Sequence, residues 1–236
     1  FVAEPTDVTG DGLQAVRIEI IDNTSGVLVY SNILTGTSAS HLVKPRVVAS
    51  TTTNKFYIYY AEFAVGASAF DIKVILISST LTVGSVNTVT SGTTAAPTEA
   101  ALADSILYDV SMSANQGIIG VATLIDNALF TIELKLIVST TGHTATVTNT
   151  ATASALPLSL TALTTYDNTN YRVHAFYSIG TTVLKAVNVD ILNNVTAQTT
   201  VGTAATGITG RIAAYENSTT QILLAFDSTV AVGAAG

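Results

Sequence analysis

Asp7, Thr9 and Asp11 fall at alternate positions near the start of the chain, and Gly12 follows the last of them. Side-chain oxygens at that spacing converge on calcium, a hard cation that takes about six to eight oxygens, and a glycine permits the sharp turn. The set lacks a closing acid, since Ala15 stands in its place, so the competing reading is a glycine-rich turn and no required cofactor. A second group is aromatic. Tyr57, Tyr59 and Tyr60 crowd one segment, with Tyr171 and Tyr177 later in the chain. Exposed rings of this kind stack on the apolar faces of sugars, and buried ones simply pack. Arg17, Lys73, Lys135 and Lys185 form a third set, each inside an apolar run. Gathered around an axis they would hold an anion; left apart, each would pair with an acid such as Glu19, Asp71, Glu133 or Asp190.

Catalysis finds little to build on. His41, His143 and His174 are scattered, and the chain has no H-E-x-x-H, no G-x-S-x-G and no phosphate-cradling glycine loop. Its 16 acids permit a glycosidase-type carboxylate pair, but nothing selects one. The expectation is a chain that is not an enzyme.

The elements that carry these residues are strands. Four apolar runs hold the basic set, at residues 16–21, 72–77, 134–138 and 184–189. They recur roughly every 50 to 62 residues, a period that points to a repeat architecture. Before each of the last three runs, and again near the end of the chain, stands a strand that follows a polar turn. These strands are residues 55–63, 117–124, 171–178 and 221–228. Their turns are built from Asn, Ser, Thr and Asp, whose side chains bond nearby backbone. A short strand precedes every turn, and a Thr/Val-rich strand follows every basic-marked one. The β-branched content favours strands throughout. Residues 98–105 are the single helix candidate, one turn long.

The predicted fold is all-β: β-propeller-like repeats of four-stranded antiparallel blades, about four in number and cut mid-blade. The boundaries are a partial blade at 12–37, blades near 42–92, 104–154 and 157–206, and a second partial blade at 208–230, within one repeat domain over 1–236. Tandem β-sandwiches are the alternative. Many strands are apolar on both faces, as stacked blades require and a sandwich with one wet face does not. If the ends meet, the terminal pairs complete one blade. The start at Phe1 suggests a piece of a longer polypeptide.

Composition narrows the role. There is no cysteine, so burial and sheet pairing alone must hold the fold. Charged residues make up 11% of the chain, against about 25% in ordinary proteins. A net charge of −7 argues against nucleic acid as a partner, and the apolar runs are too short to insert in a membrane. The hydroxyl-rich, weakly charged surface fits an extracellular or virion setting.

Two resemblances follow. The segment at residues 7–14 is similar to the loops of FG-GAP-type propeller repeats, except at Thr9 and Ala15, and it occurs once only. From about Val16 to Ser228, the strand order and the Φ-[KR]-Φ strands resemble the propeller-like repeats of bacteriophage tail-fibre and other virion appendage proteins. That likeness implies a non-enzymatic structural or host-surface-binding component of a particle, with other subunits of the same particle or filament, and surface glycans, as partners. The alternatives are a secreted lectin-like glycan-binding module and a carbohydrate-active propeller enzyme.

Overall fold

The computed structural model describes residues 2–6, 13–36, 39–94, 98–180, 183–203, 208–218 and 221–228. By its internal contacts the chain divides into two compact units, Phe1–Ile106 and Leu107–Gly236. The fold is all-β with one short helix, built from propeller-like four-stranded antiparallel blades.

The first unit opens with β1 (Val2–Thr6), β2 (Ala15–Ile21) and β3 (Leu28–Leu34), a three-stranded antiparallel sheet with β2 in the middle. A complete blade follows: β4 (Ser40–Ser50), β5 (Lys55–Ala64), β6 (Ala69–Ser78) and β7 (Asn87–Thr93), each paired with the next. The helix α1 (Glu99–Ser105) comes after it, where the sequence predicts one turn. Thr98 caps its start by accepting from the Ala101 N–H. At its other end the Lys44 ammonium donates to the carbonyls of Asp104 and Ile106, at 3.0 and 2.8 Å. Burial pushes the pKa of that ammonium down.

The second unit repeats the blade twice. The first comprises β8 (Tyr108–Met112), β9 (Ile118–Asp126), β10 (Thr131–Val138) and β11 (Ala145–Thr152). The next comprises β12 (Pro157–Tyr166), β13 (Tyr171–Ile179), β14 (Val183–Asp190) and β15 (Val195–Thr203). A two-stranded pair ends it, β16 (Ile208–Ser218) with β17 (Gln221–Ser228).

The core lies between neighbouring sheets. In the first unit Val16, Ile18 and Ile20 of β2 pack against Leu42, Ile58, Tyr60, Ile75 and Ile77. In the second, Leu124, Leu134 and Leu136 meet Val173, Tyr177 and Val189. Each such side chain contributes about 1.5–3 kcal/mol when fully buried. A strand that is buried on both faces is apolar on both and loses the period-two pattern. In β9 seven consecutive residues from Ile118 to Leu124 are buried, Gly120 and Thr123 among them. Gly120 allows the closest approach: a Cβ there would lie 2.1 Å from Thr164 Oγ1 and 2.7 Å from Val173 Cγ2. Polar ties accompany the packing. Asp109 accepts from Thr161 Oγ1 at 2.7 Å and from the Ala162 N–H at 3.0 Å, joining β8 to β12.

All three complete blades fasten their turns in the same way. The N–H of Ser79 donates to the Asn54 carbonyl at 2.9 Å, that of Ser139 to Gly117 at 3.0 Å, and that of Ile191 to Tyr171 at 2.9 Å. Each bond links the turn after the blade's first strand to the turn after its third. Left-handed residues recur in both turns, at Asn54, Gln116 and Asn168 in the first and at Leu81, Gly142 and Asn193 in the second.

The four basic strand residues have local partners, as the reading of separate pairs expects. Each is engaged within its own sheet: Arg17 with Glu19 at 3.8 Å, Lys73 with Glu62 at 2.6 Å, Lys135 with Glu133 at 3.1 Å, and Lys185 with the Thr200 hydroxyl at 2.7 Å. Lys73 takes Glu62 rather than Asp71, which accepts instead from the Ser91 hydroxyl.

Candidate functional site

The calcium candidates Asp7, Thr9 and Asp11 lie outside the described residues. Among the described residues, no three His, Asp or Glu side chains gather as a metal site would require. The aromatic candidates need correction. Tyr57 and Tyr59 are 0% exposed and Tyr177 is 1% exposed. Their rings are packed inside the sheets and offer no face to a ligand. Tyr57 shares a hydrogen bond with Thr53 at 2.6 Å, and Tyr177 accepts one from Gln198. Tyr60 is buried too. Desolvation, with Glu62 adding to it, pushes its hydroxyl up to about 12.

Two other tyrosines are only partly buried, Tyr166 and Tyr171, the second of them packed against the core of its unit. Tyr166 closes β12 and Tyr171 opens β13, directly opposite each other across the turn 167–170. Their rings stack with centroids 4.6 Å apart at 27°. The turn holds this geometry through Asp167, whose carboxylate accepts from the Thr169 N–H at 3.1 Å, the Thr169 hydroxyl at 2.7 Å and the Asn170 N–H at 2.7 Å. Those bonds, led by the one from Asn170, hold its pKa below the usual carboxylate value. Tyr171 is fixed from the side by Asn115, whose Nδ2 donates to its Oη at 2.6 Å. Gly117 makes room for that hydroxyl, since a Cβ there would lie 2.7 Å from it.

The same face continues across the second unit. Asn149 Nδ2 donates to Asn193 Oδ1 at 2.9 Å, and the Tyr166 N–H donates to Glu216 Oε1 at 3.4 Å. The latter bond brings the stacked pair beside the β16–β17 hairpin. That hairpin carries an open recess of about 490 Å³, lined by Asn217, Gln221, Ile222 and Leu223. Tyr215 faces Leu223 across the strand pair and is 67% exposed. The face therefore presents aromatic rings, carboxamides and hydroxyls, with carboxylates at Asp167 and Glu216. Such a set makes many neutral hydrogen bonds and offers flat apolar surfaces. Of these residues, only Tyr171 is among the aromatics that the sequence singled out. The signal for the pair was two tyrosines bracketing a four-residue turn of Asp, Asn and Thr.

No family model matches the chain, and no curated protein matches it. Among solved structures it is similar to an N-acetylgalactosamine deacetylase from F. plautii at 9% identity and a TM-score of 0.46, over 77% of this chain and 60% of that one. It is similar to a GH43 β-1,3-galactosidase at 10% identity and 0.45, over 81% and 40% respectively. The Dos1 propeller matches at 12% identity and 0.41, over 86% and 59%. The chain thus spans 60%, 40% and 59% of the lengths of these three structures. Two of the three are described as enzymes, a finding that stands against the expectation that this chain is not one, while the likeness itself concerns the fold. None of the three is described as a virion protein.

Proposed function

We propose that the turn face of the second unit binds carbohydrate. The stacked Tyr166–Tyr171 pair carries this reading: two half-buried aromatic rings, with the Tyr171 hydroxyl bonded by Asn115 and the turn between them tied by Asp167, beside the amides of Asn217 and Gln221. Sugars are recognised by rings against their apolar faces and by planar polar groups against their hydroxyls. The carboxylates of Asp167 and Glu216 on the same face favour an uncharged glycan over an anionic one. The platform favours glycan recognition over the particle-component role expected from the sequence.

The tyrosine pair occurs at the β12–β13 turn and not at the corresponding turns 51–54 and 113–117, which are flanked by Ser50 and Lys55 and by Met112 and Ile118. The reading therefore requires one such site per chain rather than one per blade. The test is a screen of the chain against neutral oligosaccharides, followed by calorimetry. A stoichiometry near one, and at least a tenfold loss of affinity in Tyr166→Ala with an unchanged circular dichroism spectrum, supports it. Full affinity in Tyr166→Ala and in Tyr171→Ala, or no binding of any neutral glycan at millimolar concentration, overturns it.

A further inference from the structure

We infer that the recess on the β16–β17 hairpin is the subsite for the acetamido group of an N-acetylated hexosamine; this rests on the carbohydrate reading above. The argument is one of matched hydrogen-bonding groups. Asn217 Nδ2 donates to Gln221 Oε1 at 3.1 Å. That bond fixes both carboxamides and consumes one donor of the first and an acceptor of the second. Asn217 Oδ1 and Gln221 Nε2 have no protein partner among the described residues. The recess thus presents one fixed acceptor and one fixed donor side by side.

An acetamido group carries one N–H, one carbonyl and one methyl. Its N–H donates to Asn217 Oδ1, its carbonyl accepts from Gln221 Nε2, and its methyl meets the apolar wall that Leu223 presents on the side of Gln221. Leu223 is 63% exposed, so the wall is open to a ligand. Gln221 and Leu223 lie two apart on β17 and so point to the same side of the hairpin. Tyr215, opposite Leu223, extends that side with an aromatic ring for the sugar itself. The volume, about 490 Å³, falls in the range of roughly 300–1,000 Å³ usual for small-molecule sites. A plain hexose has a hydroxyl where the acetamido group would be. It can engage one of the two amides but leaves the wall uncovered.

The experiment uses four monosaccharides as probes: N-acetylglucosamine and N-acetylgalactosamine against glucose and galactose. Within each pair the sugars differ only at the acetamido position. Affinity is measured by calorimetry, and contact by saturation-transfer NMR. We expect at least tenfold tighter binding of one N-acetylated sugar than of its parent hexose. The acetyl methyl should receive the strongest saturation, and the preference of the N-acetylated sugar over its parent hexose should vanish in Gln221→Ala and in Leu223→Asp. Equal affinity for both members of each pair, or a preference that survives both substitutions, overturns the subsite and leaves the carbohydrate reading standing. If none of the four sugars binds, and neutral oligosaccharides also fail, the reading of the whole face falls and the subsite with it.

Discussion

His174 makes the stability of this fold depend on pH in a window that can be calculated. Its ring lies parallel to Phe176, with centroids 5.9 Å apart at 5°, and its Nε2 is 3.0 Å from Thr165 Oγ1. Burial, and then the charge of Arg172, push its pKa down from 6.5 to about 4. The native state therefore holds a neutral imidazole where the unfolded chain takes a proton. Above pH 6.5 the ring is neutral in both states and adds no pH dependence. Between about 6.5 and 4 the unfolded chain binds more protons, so stability falls as the pH drops. At about 1.36 kcal/mol per pH unit the loss is about 2 kcal/mol at pH 5 and about 3 kcal/mol at pH 4. For a chain of this size, 2 kcal/mol corresponds to roughly 4–8 °C in Tm. Urea unfolding at pH 7 and pH 5 measures it, with His174→Gln as the reference, since glutamine still reaches Thr165 but does not titrate. The native chain should lose about 2 kcal/mol more than the variant between the two pH values. Equal losses would show that the imidazole is protonated in the folded protein and would refute the burial argument.

Four further outcomes follow from the packing and the polar contacts. Gly120→Ala places a Cβ 2.1 Å from Thr164 Oγ1, so β9 must move away from β12, at a cost of about 1–3 kcal/mol by denaturant unfolding. Gly26→Ala meets nothing within 4 Å and bears only the strain of its φ of +70°, about 1 kcal/mol. Glu62→Gln leaves the Lys73 ammonium without the carboxylate 2.6 Å away, where the two side chains are 9% and 18% exposed. It should destabilise by about 1–3 kcal/mol, and adding Lys73→Met should restore most of that in a double-mutant cycle. Lys44→Met removes both hydrogen bonds from the ammonium to the end of α1 and should lower the amide exchange protection of that helix tenfold or more, with the blade strands unaffected.

The blades were legible in the sequence because their turns are. Clusters of Asn, Ser, Thr and Asp mark 51–54, 113–117 and 167–170, and apolar runs fill the intervals. The strand β1 was missed, since V-A-E-P-T carries a proline and too few apolar residues to signal pairing, yet its backbone lies along β2. The site was legible only in part, for a physical reason. In a strand buried on both faces, neighbouring residues are equally hidden, so a run such as Tyr57 to Tyr60 does not show from its spacing which rings reach solvent. Position relative to a turn does show it. Tyr166 and Tyr171 stand at strand ends, where the adjacent sheets cover them only in part. The recess residues gave no sequence signal at all. Asn217 and Gln221 meet only because the hairpin brings them opposite, with Ser218 paired to Gln221.

The bond that fastens each blade's two turns joins one peptide N–H to one peptide carbonyl, with no side chain taking part. Its strength is therefore nearly indifferent to which residues occupy the turns. A chain built this way can rewrite the letters on that face while the frame beneath keeps its shape. One blade can hold a tyrosine pair where its neighbours hold Ser50 with Lys55 or Met112 with Ile118. The repeated architecture is in effect a rack of interchangeable panels, on which new recognition surfaces are tried out one hairpin at a time.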